Sequence, residues 1–179
     1  MKKWIVAAFS ALFLTLSASN AFALISASAD IPLKYSFKDS SGISETPVSG
    51  LLLKLSLPIF FGLGLENYTV KPKDSLGGEI GNYKVTMYDI YFDLPLPIVN
   101  VSVGAGIGKG DLTPPVGGKT HDPAVLSQYF LSVGIPFFVV MDGHVGMYNT
   151  KGKLKSKGGG VPDYDVSATM YTLGVRVGF

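Results

Sequence analysis

Few residues in this chain are of a type that does covalent chemistry. Cys is absent and His occurs twice. There is therefore no thiolate nucleophile, no disulfide and no Cys-anchored lipid. Two His without Cys do not build a structural zinc site, so no metal and no cofactor are expected. His121-Asp122, with Ser127 close behind, is where a nucleophile could form, because a Ser needs a His within hydrogen-bond reach and an acid to orient it. No motif ties the three together, so a solvated loop His is the plainer reading and no catalytic residue is assigned. Asp142 and His144 form a second acid and base pair, two residues apart. Lys151, Lys153, Lys155 and Lys157 alternate with Gly152, Leu154 and Ser156. Four ammonium groups on one face suit phosphate-bearing lipid as point charges, or else belong to a solvated loop ending in Gly158-Gly159-Gly160. The net charge of +2 gives no argument for nucleic acid.

The elements that must position these residues read as strands. Apolar residues recur at every second position, which separates two faces. Ile25, Ala27, Ala29, Ile31, Leu33, Tyr35 and Phe37 share one face of a first strand, against Asp30 and Lys34. Leu51, Leu53, Leu55 and Leu57 alternate with Lys54 and Ser56; Phe61, Leu63 and Leu65 with Gly62, Gly64 and Glu66. Tyr88, Ile90, Phe92 and Leu94 oppose Asp89, Tyr91 and Asp93, and Val101, Val103, Ala105 and Ile107 oppose Ser102 and three glycines. Val125, Tyr129, Leu131 and Val133 oppose Gln128, Phe130 and Ser132; Val139, Met141, Val145 and Met147 oppose Asp142, His144 and Tyr148. An eighth segment has Tyr171, Leu173, Val175, Val177 and Phe179 against Thr172, Gly174, Arg176 and Gly178.

Pro58, Pro97 and Pro136 stand 39 residues apart, each in a short apolar turn, with the last turn read at Gly134 to Phe137. Long polar loops over 39–50, 71–82, 110–123 and 149–165 fill the other connections. Ahead of the strands, Lys2 and Lys3 precede an apolar run from Trp4 to Leu16 and a small-x-small site at Ala21-Phe22-Ala23. Residues 1–23 read as a cleavable export signal and 24–179 as one domain. Eight strands, short turns on one side and long loops on the other make an all-β, eight-stranded antiparallel up-and-down transmembrane β-barrel. Closure satisfies every backbone group without an edge. A soluble lipocalin-type barrel is the competing fold, since alternation alone does not tell inside from outside.

With the apolar face toward lipid, the inward face carries Asp30, Lys34, Lys54, Glu66, Asp89, Asp93, Asp142, His144 and Arg176. An eight-stranded barrel has an interior just wide enough for side chains to fill, and buried charges must pair. This set reads as a polar plug; a small pore is the alternative, because the inward glycines remove bulk.

The export signal, the eight segments and the terminal Phe resemble the small eight-stranded bacterial outer-membrane barrels of the OmpA, OmpX and OmpW kind. The proline turns resemble a proteobacterial group of outer-membrane barrels without assigned function. The resemblance implies a Gram-negative outer-membrane location, contact with outer-membrane lipid and lipopolysaccharide, and a monomer. It also implies that Tyr171, Leu173, Val175, Val177 and Phe179 are read by the outer-membrane assembly machinery. The expected role is structural or in surface interaction. A narrow channel and an outer-leaflet lipid-modifying enzyme, of which some small barrels are examples, are the alternatives.

Overall fold

The computed structural model describes residues 25–38, 47–58, 60–73, 78–96, 98–115, 117, 120–138, 140–158 and 163–179. Residues 1–23, read as an export signal, lie outside them. The strands are β1 (Ser26–Phe37), β2 (Val48–Ser56), β3 (Phe61–Val70), β4 (Asn82–Pro95), β5 (Asn100–Thr113), β6 (Ala124–Phe138), β7 (Met141–Lys151), β8 (Lys153–Leu154), β9 (Tyr164–Asp165) and β10 (Ala168–Gly178). Eight of them close a barrel in the order β1-β10-β7-β6-β5-β4-β3-β2, and β8 pairs only with β9. Every barrel pairing is antiparallel, as hairpin connections require.

The alternating residues divide as their chemistry asks. Ile31, Leu53, Leu63, Ile90, Val145 and Leu173 are exposed on the outside, while Asp30, Lys54, Glu66, Asp89, His144 and Thr172 are buried inside. An exposed apolar surface of this extent is what a barrel solvated by hydrocarbon presents. Its interior is charged and polar toward the short turns and aromatic and apolar toward the long loops.

Four expectations need correction. Leu33 is an extra residue in β1: Pro32 pairs with Thr172 and Lys34 with Tyr171. This β-bulge shifts the parity by one. Lys34 is therefore exposed rather than inward, and Tyr35 is buried rather than outward. The last short turn is later than read: Ile135 pairs with Gly143 and Phe138 with Met141, so the chain reverses beyond Phe138. Strands on the loop side run further, β2 from Val48 and β5 to Thr113. The fourth loop contains the short hairpin β8–β9.

Candidate functional site

The interior charges on the turn side of the barrel form one connected chain. Lys54 Nζ donates to Asp30 Oδ2 at 2.8 Å, and its ammonium lies 5.0 Å from the centre of the Phe130 ring and 5.3 Å from that of Tyr148. That is a buried cation with a carboxylate partner and two aromatic faces. Asp30 Oδ1 lies 2.6 Å from His144 Nε2, and the other ring nitrogen lies 3.3 Å from Asp142 Oδ1. Asp142 also accepts from Asn100 at 2.8 Å and faces Arg176 Nε at 3.6 Å. Arg176 reaches Asp93 at 3.3 Å and donates to Ser102 Oγ at 2.9 Å. Asp93 accepts from both Ser56 and Ser102, and the Ser56 hydroxyl lies 2.9 Å from the Tyr91 hydroxyl.

Glu66 and Asp89 lie in a second group. Gln128 Nε2 donates to Glu66 at 2.9 Å and to Asp89 at 2.8 Å, and Thr150 donates to Gln128 Oε1. Glu66 Oε2 and Asp89 Oδ2 have no hydrogen-bond partner among the described residues. Of the nine residues read as inward, the structure brings six into one chain and two around Gln128. It leaves Lys34 outside.

The inward glycines make room for particular neighbours. A Cβ on Gly62 would run into the Tyr91 ring, on Gly104 into Phe130, on Gly106 into Asp89, on Gly146 into Thr172 and Tyr148, and on Gly174 into Asp30 and His144. At Gly62, Gly104, Gly106 and Gly174 the missing side chain is thus matched by a large or charged one from another strand. Sequence reasoning missed the loop-side half of the interior, where Tyr35, Tyr68, Tyr83, Met87, Leu126 and Met170 are buried. For Tyr83 and Met87 the signal was there: both share the parity of Asp89 along β4.

On the loop side, Lys151, Lys153, Lys155 and Lys157 are all exposed and Leu154 between them is buried. Lys153 lies 3.7 Å from Asp163 and Lys157 3.6 Å from Asp122. The Ser156 backbone N–H, at 2.9 Å, holds the Asp163 carboxyl below its usual range, with Lys153 adding to this. The Ser167 hydroxyl and backbone N–H do the same for Asp165. His121 is buried, with Nδ1 2.9 Å from the Thr120 hydroxyl and its ring 5.1 Å from that of Tyr164, while Ser127 is exposed on β6. At the closing strand, Tyr171, Leu173, Val175 and Phe179 are exposed, Val177 is half-buried, and the Phe179 N–H donates to the Ile25 carbonyl at 2.8 Å.

No family model and no curated protein sequence matches the chain. Solved structures do. Neisserial surface protein A is superposable with a TM-score of 0.61 at 14% identity, over 87% of this chain and 96% of that one. The N-terminal β-barrel domain of Pseudomonas aeruginosa OprF gives 0.56 at 11%, over 86% and 97%. The fold is that of the small eight-stranded outer-membrane barrels. The outer-membrane protein OprG of Pseudomonas aeruginosa gives 0.57 at 14%, over 90% and 98%. In this chain the ion-pair chain lies in the turn-side part of the barrel interior, and the aromatic and apolar cluster in the loop-side part.

Proposed function

We propose that the chain is an integral outer-membrane barrel whose interior is closed by its own side chains and whose role is structural or at the cell surface. The observation that carries this is the connected chain from Lys54 through Asp30, His144, Asp142 and Arg176 to Asp93. A conducting lumen needs charges that face water and exchange partners with ions; here they face one another across the barrel. The glycines support the same reading, since their space is taken by Tyr91, Phe130 and Asp89. The test is single-channel recording on residues 24–179 refolded in lipid, with folding checked by a heat-dependent gel shift. A folded, silent barrel is expected. Reproducible discrete openings overturn the plug and make the protein a narrow channel.

The lysine edge favours a partner. With Leu154 buried between them, Lys151, Lys153, Lys155 and Lys157 project from one side of the loop-side extension, where lipopolysaccharide phosphates would lie. Changing all four to Ser is expected to weaken lipopolysaccharide binding by the refolded barrel; unchanged affinity removes this reading. An enzymatic reading has less support, because His121 is buried and Ser127 exposed. Loss of an outer-leaflet lipid modification on changing His121→Asn would restore it.

A further inference from the structure

The two ends of the barrel differ in a way that the function above does not use. Along the sequence, the stretches that hold the three short turns and the strand ends beside them, 55–65, 94–101 and 135–141, contain no Asp, Glu, Lys, Arg or His. Among the described residues, every charged side chain belongs either to the inward file or to the side of the long loops. The turns are not merely uncharged. Phe60, Leu96, Ile98, Phe137 and Phe138 are all exposed there, Ile98 to 79%, and Phe179 is exposed beside them at the closing strand. Phe60 has a φ of 64°. A turn in water gives that left-handed position to Gly or Asn, which adopt it readily. This turn holds a Phe there, with its carbonyl accepting from the Asp93 N–H at 2.8 Å.

The height of the outer apolar surface points the same way. At about 3.4 Å per residue and a tilt near 40°, each strand residue climbs roughly 2.6 Å. From exposed Lys109 down β5 to Val101 is then about 21 Å, short of the ~25 Å apolar band of a membrane barrel. Ile98, past the end of the strand at Asn100, continues that apolar surface. On β6, where Val125 is level with Lys109, the same step reaches Phe138 after about 34 Å, so the apolar surface runs from strand into turn with no charged residue at its lower edge.

We propose that the three apolar turns and the Phe179 ring are submerged in phospholipid, so that the turn side of the barrel lies inside the membrane boundary instead of projecting into water. The turn residues are continuous with the lipid-facing surface and have no charge that a headgroup layer must solvate. The occupant is therefore the glycerol and acyl region of the lipid, not a protein partner. This inference rests on the outer-membrane reading, and its test separates the two.

The only Trp of the chain is Trp4, within the export signal, so residues 24–179 carry none and hold the whole closed barrel. Single Trp residues are placed by Ile98→Trp and Phe138→Trp at two turns, by Ile90→Trp in the middle of the outer surface, and by Glu79→Trp in a loop. Each barrel is refolded in phosphatidylcholine vesicles and checked by heat-dependent gel shift. Its fluorescence is then quenched by lipids brominated at shallow or deep positions and by aqueous acrylamide. The turn variants are expected to be quenched by shallow bromines, and at least threefold less by acrylamide than Glu79→Trp. Acrylamide quenching equal to that of Glu79→Trp, with no bromine quenching, overturns the proposal, provided that Ile90→Trp is quenched by deep bromines. If Ile90→Trp escapes the bromines too, the membrane reading itself falls and this proposal with it. Phe60→Trp, at the third turn, keeps the test open should either turn variant fail to fold.

Discussion

Asp30 is the residue on which the interior depends most. It takes Lys54 at 2.8 Å, His144 at 2.6 Å and Tyr148 at 3.4 Å, from two strands on either side. Removing one member of a buried ion pair leaves the other charge without compensation, which costs about 3–5 kcal/mol. Asp30→Asn is expected to lose stability of that order in urea unfolding of the refolded barrel. Adding Lys54→Met should return a large part of it, because the uncompensated ammonium goes with it. A strictly additive double variant would show that the pair is not coupled. Packing gives a second residue-level expectation. A Val at Gly62 overlaps the Tyr91 ring, and overpacking of this kind costs about 1–3 kcal/mol. Gly62→Val should therefore lower the urea midpoint, and Tyr91→Ala in the same chain should relieve it. The inward parity of most of these residues was legible in the sequence, because period two assigns a face. Their partners were not. Asp30 and His144 are 114 residues apart and meet only because the barrel closes.

At the level of elements, the bulge explains the one inward residue that was misread. Period-two reading assumes one residue per step, and Leu33 is a step without a partner in β10. Deleting Leu33 should therefore leave Pro32 and Tyr35 inside and Lys34 outside. The deletion variant is expected to keep its heat-dependent gel shift. Deleting Leu53 from β2, where pairing has no such slack, turns Lys54 toward lipid and should abolish the shift. Turn positions were poorly legible for a related reason. Pro136 looked like a turn residue, yet it lies in β6, opposite Asp142, next to the register shift before Phe138. The β8–β9 hairpin was invisible because two-residue strands carry no periodicity. It is held by carboxylates instead. Asp163 and Asp165 have lowered pKa values in the fold, so the stability they contribute is present above the unfolded carboxylate value and lost as pH falls through the folded one. Below about pH 4 the hairpin is expected to loosen while the barrel stays closed. The protection of the Ser156 and Ser167 amides, relative to their intrinsic exchange rates at each pH, should fall there, and unchanged protection would show that other contacts hold the loop.

The whole molecule is a ring whose first and last strands meet. Ile25 and Phe179 exchange backbone hydrogen bonds, at 2.8 and 3.4 Å, and β1 pairs with β10 along its length. No edge remains, and no part of the ring closes until both ends of the chain are present. Closure by this strand is observed; its recognition during assembly is the expectation that the resemblance carries, and the two can be tested apart. The backbone of β10 seals the ring, while its exposed Tyr171, Leu173, Val175 and Phe179 side chains are the residues expected to be read during assembly. A circular permutant distinguishes them. Joining Phe179 to Ile25 through a short turn, and opening the chain within 39–46, keeps every strand pairing but removes the aromatic carboxy-terminus. In detergent, where no machinery is needed, the permutant is expected to refold with the same heat-dependent gel shift as the parent. In cells, behind the same export signal, it should accumulate unfolded in the periplasm. Equal assembly of the two chains in cells would show that closure is sufficient and that Phe179 acts only through its place in the ring. Failure of the permutant in detergent would instead show that the order in which strands pair, and not only the final ring, is set by where the chain begins.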